Sequence, residues 1–178
     1  MSKLGLIQVY TGNGKGKTTA SLGLAFRACG HGYKVCMIQF MKDNEEYGEA
    51  KAAKLLTNFT VFQVGRNDFV NLSNPEPIDV KLAEDGWALA QKVILSEEYD
   101  IVILDEINVA MACKLLDVDK VTTFLTQELK KLKKKPELIL TGRYAPKQVI
   151  EIADLVTEMQ EVRHYYNNGT ESRAGADF

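Results

Sequence analysis

The chain has little that would bind metal through sulfur, cross-link a small fold or grip nucleic acid. Its three cysteines, Cys29, Cys36 and Cys113, are far apart and form no C-x-x-C pair. Neither a zinc site nor a disulfide framework is indicated, and the cytoplasm is the expected compartment. Charge of one sign is not in excess: 22 Lys and Arg face 24 Asp and Glu, for a formal net charge of -2. That balance gives no sign of a nucleic-acid partner or of attraction to an acidic membrane. No apolar run reaches membrane-spanning length, and the opening "MSKLGLIQVY" is not a signal peptide. Internal repeats, low-complexity tracts and linkers are missing too. What is present is an ordinary globular composition, 46% apolar over 178 residues, enough for one domain with a substantial core. Residues 1–178 therefore read as a single domain, with roughly 168–178 as a C-terminal tail without periodicity.

Short apolar runs alternate with helical patterns. Strands are expected at Leu6–Tyr10, Lys34–Phe40, Phe59–Val64, Tyr99–Glu106, Glu137–Thr141 and Asp154–Val162. Helices are expected from Lys17 to about Gly30, over Glu45–Leu56, Ile78–Leu95, about Asp119–Lys133 and Pro146–Ile152. Residues 65–76, rich in Asn, Asp, Gly and Pro, read as a loop. Alternation of this kind predicts an α/β fold, a mainly parallel sheet with helices on both faces. The lysines of "KKLKKKP" (Lys130–Pro136) read as the basic end of a helix before a proline stop.

The stretch "TGNGKGKTT" follows the first strand and opens the first helix. A phosphate-binding loop is usually spelled G-x-x-x-x-G-K-[ST]. Here Gly16, Lys17 and Thr18 give the ending, but Thr11 stands where the first glycine belongs. Gly12, Gly14 and Gly16 let backbone N–H groups of the loop, Asn13 included, converge on an anion. The helix start adds unpaired N–H groups, Thr19 among them, and partial positive charge. Lys17 can reach phosphate oxygens, Lys15 is a second cation, and the Thr18 hydroxyl can ligate Mg²⁺. "IVILDE" places Asp105 and Glu106 at the C-terminal end of a buried strand, where ligands of open parallel sheets bind. One acid can hold Mg²⁺ while the other orients a water or ligand; the residues alone do not say which does which. These features indicate a magnesium nucleoside triphosphate, not what is done to it.

In order and spacing, "TGNGKGKTTA", "VILDEIN", "LTGRYAP", "ADLVTEM" and "VRHYYNNG" resemble the ATP:corrinoid adenosyltransferases built on a P-loop, RecA-like fold. The resemblance runs from about Ile7 to the tail, and the family's loop reads G-N-G-K-G-K-T, as Gly12–Thr18 do. It implies transfer of the 5′-deoxyadenosyl group of ATP to the Co(I) of a reduced corrinoid, with release of triphosphate, in adenosylcobalamin biosynthesis or salvage. Cobalamin, cobinamide and cobyrinic acid a,c-diamide are the implied corrinoids, a flavoprotein-type reductase the implied electron donor, and a homodimer the implied assembly. With that chemistry, the loop and the strand-end acids make Lys17, Thr18 and Glu106 the catalytic candidates and Thr18, Asp105 and Glu106 the Mg²⁺ candidates. By position the resemblance assigns Arg27 to ATP and Phe69 to the corrinoid, beneath the cobalt, and Arg143, at a strand end, is the candidate to meet phosphate or corrinoid carboxamides. His164 matches a family histidine, for which packing and ligand roles are both open.

Asn71 stands where the family often has tryptophan, and the chain ends "GADF" where the family reads G-I-[DE]-[YF]. Longer members carry a segment before the first strand that covers a partner's corrinoid. Only five residues precede Leu6, so that cover is expected to be absent. Two other readings compete: a P-loop nucleoside or small-molecule kinase, and a non-catalytic nucleotide sensor or motor.

Overall fold

The chain is described from a computed structural model covering residues 4–68 and 70–178. Six strands form one sheet: β1 (Ile7–Thr11), β2 (Val35–Phe40), β3 (Phe59–Val64), β4 (Ile101–Asp105), β5 (Glu137–Thr141) and β6 (Leu155–Glu158). Their order is β3-β2-β4-β5-β1-β6, and every neighbouring pair is parallel. All strand C-termini therefore meet at one edge, which carries the phosphate-type loop after β1 and the acids after β4.

Six helices cover the sheet: α1 (Lys17–Gly30), α2 (Gly48–Ala53), α3 (Pro77–Leu95), α4 (Ile107–Ala112), α5 (Val118–Gln127) and α6 (Lys147–Ile152). On one face Ala25, Ala28 and Ala53 of α1 and α2 pack with Val35, Met37, Ile101 and Ile103. On the other, Trp87, Ile94, Ile107, Val121 and Val149 of α3 to α6 pack with Cys36, Ile38, Val102 and Leu104. Successive residues of β2 and β4 point to opposite faces, and both faces are covered, which is why these strands are written as unbroken apolar runs. Polar residues interrupt them only at the loop-bearing edge, where Gln39 and Asp105 are fully buried.

Most element boundaries follow local signals. α3 begins at Pro77 inside a reciprocal cap, with the Glu76 and Asp79 side chains each accepting from the other's backbone N–H. α5 begins after Asp117, whose side chain accepts from the N–H groups of Asp119 and Lys120. Trp87 of α3 meets Phe124 of α5 edge to face at 5.3 Å.

Several expectations are corrected. The helix expected over Glu45–Leu56 is only Gly48–Ala53. Before it, the Asn44 side chain accepts from Glu46 N–H, a local turn that competes with helix. The helix expected to reach Lys133 ends at Gln127 and continues as a short 3-10 turn, Leu129–Lys131. The basic cluster therefore lies past α5, whose last turn carries no basic residue; Lys130 and Lys131 end the 3-10 turn, Lys131 pairs with Glu128, and Lys134 pairs with Asp100 just before β4. The last strand stops at Glu158, well short of Val162. α4 was not expected. Phe69 lies outside the described residues.

Candidate active site

The glycines of the loop have separate reasons. Gly12 and Gly16 have φ of 94° and 120°, a left-handed backbone that side chains strain. At Gly14 the constraint is space: a Cβ there would lie 2.8 Å from the Met159 carbonyl oxygen and from the backbone of Gln160. The Gly14 N–H donates to that same Met159 oxygen at 2.7 Å. The segment leaving β6 thus backs the loop from behind. Gly14→Ala must push the two apart, at a cost of about 1–3 kcal/mol. We expect this variant to fold and to bind ATP at least about fivefold more weakly, at about 1.4 kcal/mol per decade. An unchanged nucleotide Kd would mean that the contact with 159–160 does not set the loop.

Thr11 also has a function of its own. It is 8% exposed, and its hydroxyl accepts from Ala145 N–H at 3.2 Å. The residue that departs from the usual loop spelling therefore ties the loop to the turn after β5. That turn is strained, with left-handed φ at Gly142 and Tyr144, and it carries Arg143 between them.

A cleft of about 720 Å³ opens above this edge. Its lining includes the polar residues Lys15, Lys17 to Thr19, Lys42, Glu106 and Arg143 with the loop backbone at Gly14 and Gly16, and the apolar residues Leu22, Phe26, Ala52 and Leu56. His164 and the tail residues Gly175 to Phe178 form a further wall. Lys17 opens α1, yet it is only 7% exposed, and its ammonium donates to the Gly14 carbonyl at 2.7 Å. Burial pulls its pKa below the ordinary lysine value, Glu106 opposes that, and Arg143 adds to it. Lys15 instead pairs with Asp177 at 2.8 Å. The Lys15 ammonium, the Tyr165 hydroxyl and the Arg173 N–H hold the Asp177 carboxyl well below the usual carboxylate range. The Phe178 ring lies 5.9 Å from that of Tyr47, just before α2.

Asp105 is fully buried and saturated with donors. Its Oδ1 accepts from the Thr18 hydroxyl at 2.9 Å and the Thr141 hydroxyl at 2.7 Å. Its Oδ2 accepts from Gln39 at 3.1 Å and from the Lys42 ammonium at 2.9 Å. Burial pushes the Asp105 carboxyl up, but Lys42 and the hydroxyls of Thr141 and Thr18 outweigh it and hold it below its ordinary value. Glu106 moves the other way, raised by burial and by the Asp105 charge, with Lys42, Lys17 and Arg143 opposing. Its backbone is left-handed, φ 64°, as it turns from β4 into α4.

This donor set fits magnesium. The Thr18 proton points to Asp105, so the Thr18 oxygen keeps its lone pairs for a hard cation. Among the described residues no group of three or more His, Cys, Asp or Glu side chains forms a metal cage. A cation sharing its coordination with phosphate oxygens needs no such cage, since Mg²⁺ sites typically draw on one or two carboxylates plus phosphates.

Of the residues singled out from sequence, Gly14, Lys15, Gly16, Lys17, Thr18, Thr19, Glu106 and Arg143 line the cleft. Asp105 lies beneath, through Thr18. Gly12, Asn13 and Arg27 are not among the lining residues; Arg27 is exposed on α1, close enough to Tyr10 to influence its titration. His164 caps the 3-10 turn Tyr165–Asn168, its Nδ1 accepting from Tyr166 N–H at 3.1 Å. The sequence reading missed Lys42, Thr141 and the tail. Lys42 and Thr141 could have been found from their places at the ends of strands that share one edge with Asp105.

Comparison with known proteins agrees with this geometry. Residues 3–178 match the family described as ATP:corrinoid adenosyltransferase BtuR/CobO/CobP. A corrinoid adenosyltransferase from a Sinorhizobium species is 37% identical over 178 residues, covering 98% of this chain and 80% of that protein. The corrinoid adenosyltransferase of Escherichia coli K12 is 34% identical over 174 residues, covering 98% of this chain and 86% of that protein. Among solved structures, the flagellar accessory protein FlaH from Methanocaldococcus jannaschii superposes with a TM-score of 0.56 at 18% identity, over 86% of this chain and 70% of that one. That likeness concerns the fold alone. The full-length match and the loop-and-acid cleft lead to the same place: the chain belongs to the ATP:corrinoid adenosyltransferase family.

Proposed function

We propose that the protein transfers the 5′-deoxyadenosyl group of ATP to the Co(I) of a reduced corrinoid and releases triphosphate. The observation that carries this reading is one cleft lined both by a cationic glycine-rich loop and by apolar side chains, in a chain of the corrinoid adenosyltransferase family. The loop N–H groups and Lys17 hold the triphosphate in one piece, with Lys15 added once it leaves Asp177. Leu22, Phe26, Ala52 and Leu56 offer the nucleoside an apolar surface. Thr18, with Asp105 or Glu106, would hold Mg²⁺, which when bound neutralises phosphate charge.

Reduced cobalt is a strong nucleophile, so the protein needs no general base. The cobalt electron pair forms a bond to the ribose 5′ carbon, cobalt is oxidised from Co(I) to Co(III), and the C5′–O pair leaves with triphosphate. What this chain supplies is alignment and stabilisation of the charge on the leaving group. Arg143 at the cleft rim meets phosphate or corrinoid carboxamides, and Phe69 is assigned beneath the cobalt, keeping donors off its lower face. A homodimer, a flavoprotein reductase and a cytoplasmic setting complete the reading. Among the described residues no helix is long and apolar enough to cross a membrane.

The phosphorus product tests it. Purified protein with MgATP and chemically reduced cobalamin, cobinamide or cobyrinic acid a,c-diamide should give an adenosylcorrinoid spectrum and intact tripolyphosphate by ³¹P NMR. ADP as the product would replace this reading with a phosphotransferase; ATP bound but unchanged would replace it with a sensor.

A further inference from the structure

Lys42 is placed with unusual care for a residue outside the loop. Met41, just before it, has a left-handed φ of 59°, a conformation that costs a side-chain-bearing residue free energy. Gly65 makes this turn possible, since a Cβ there would lie 2.4 Å from the Lys42 nitrogen. The result sets the Lys42 ammonium 2.9 Å from Asp105 and 3.8 Å from Glu49 of α2. The Gln39 amide donates to both acids, at 3.1 Å each. A positive charge thus sits on the same carboxylate that receives the Thr18 hydroxyl, and a second acid lies beside it.

We propose that Lys42 is a positioning residue that competes with the nucleotide's divalent cation for the charge of Asp105, so that the cation binds only together with a polyphosphate. Asp105 has no free oxygen to offer: each already takes two donors. A dication at Thr18 meets the Lys42 ammonium across this one carboxylate, and like charges at such range repel strongly where water is excluded. The charge of a triphosphate reverses that balance. Lys42 then swings to Glu49, which it already neighbours, and this couples cation binding to α2, a wall of the cleft. An enzyme so built does not fill its metal site with free cation before substrate arrives.

The inference rests on the polyphosphate reading of the cleft, and its test needs no corrinoid and no turnover. Mn²⁺ serves as the probe, followed by the EPR signal of free Mn²⁺ with the full chain, with and without inorganic tripolyphosphate. Tripolyphosphate alone also chelates Mn²⁺ and removes the free-ion signal, so protein-bound Mn²⁺ is counted after equilibrium dialysis: wild type should bind Mn²⁺ alone weakly and retain it at least about tenfold more tightly with tripolyphosphate. Lys42→Met should bind Mn²⁺ alone at least about tenfold more tightly than wild type, the loss of one nearby charge being worth that much or more. Its melting temperature should also rise with Mn²⁺, as binding to the native state requires. Lys42→Arg should behave as wild type. Equal Mn²⁺ affinity in wild type and folded Lys42→Met overturns the proposal, as does Lys42→Arg behaving like Lys42→Met. Should Lys42→Met not fold, wild type decides alone: tight Mn²⁺ binding without polyphosphate overturns it. Failure of tripolyphosphate to bind at all sinks the reading of the cleft as well, whereas the expected Mn²⁺ pattern without adenosyl transfer sinks only the proposed reaction.

Discussion

Lys17→Ala is expected to lower kcat/KM for adenosyl transfer by about 10³-fold, the upper range for losing one preorganised electrostatic group, and to leave the fold intact. Lys17 is buried and its ammonium rests on a neutral carbonyl. The charge has been taken out of water without a carboxylate in contact, which pulls its pKa down and readies it for an anion. A departing triphosphate supplies that anion and gains charge as the C–O bond breaks. Truncation to alanine removes a desolvated charge along with some packing of the stem. These effects oppose, so stability should change by no more than about 1 kcal/mol. Activity and thermal melts on the same preparation check both halves. A folded variant within tenfold of the wild-type rate would take Lys17 out of the mechanism.

Asp105→Asn should act on stability and activity together. An amide nitrogen cannot accept a hydrogen bond, so the variant either loses Lys42 and Gln39 on one side or turns its NH2 to Thr18 and Thr141, whose hydroxyls must then accept instead of donate; in both cases Lys42 loses its carboxylate. Lys42 keeps only Glu49, at 3.8 Å. Breaking a buried ion pair from one side typically costs about 3–5 kcal/mol, and a loss of that size is expected in denaturant unfolding. Glu106→Gln should separate from it. The Glu106 carboxyl is already disfavoured as an anion beside Asp105, so neutralising it should leave stability unchanged or raised while activity falls. Denaturant curves for the pair decide the matter: equal losses would mean that the two acids do not differ in role.

These two acids mark how far the sequence could be read. "IVILDE" announces a buried strand ending in acids, and "GKGKTT" announces a loop that opens a helix, because both signals are local. Strand and helix identities followed from apolar period in the same way. α4 escaped because its six residues are too few to show a helical period, and no side chain caps them at Glu106 to mark a start. Lys42 escaped because "MKDNEE" looks like any charged turn, and its partner Asp105 is 63 residues away. The tail shows no pattern of its own; Asp177 and Phe178 gain meaning only from Lys15 and Tyr47, which the fold brings to them. Even Gly14 was assigned to the anion alone, when the chain at 159–160 presses on it from behind.

The strand order has a consequence for how such a chain is made. β1 leaves the ribosome before the other five described strands, yet its neighbours are β5 and β6, the last two of them. Leu6 N–H is held by Glu137, 131 residues later. β2, β3 and β4 can pair as soon as they emerge, whereas β1 has no edge to join until β5 arrives. Contacts so distant in sequence close slowly. The nucleotide loop thus waits, its apolar strand unpaired, through most of synthesis, the kind of exposure that invites chaperones. The cleft proposed to hold ATP is encoded early and assembled late.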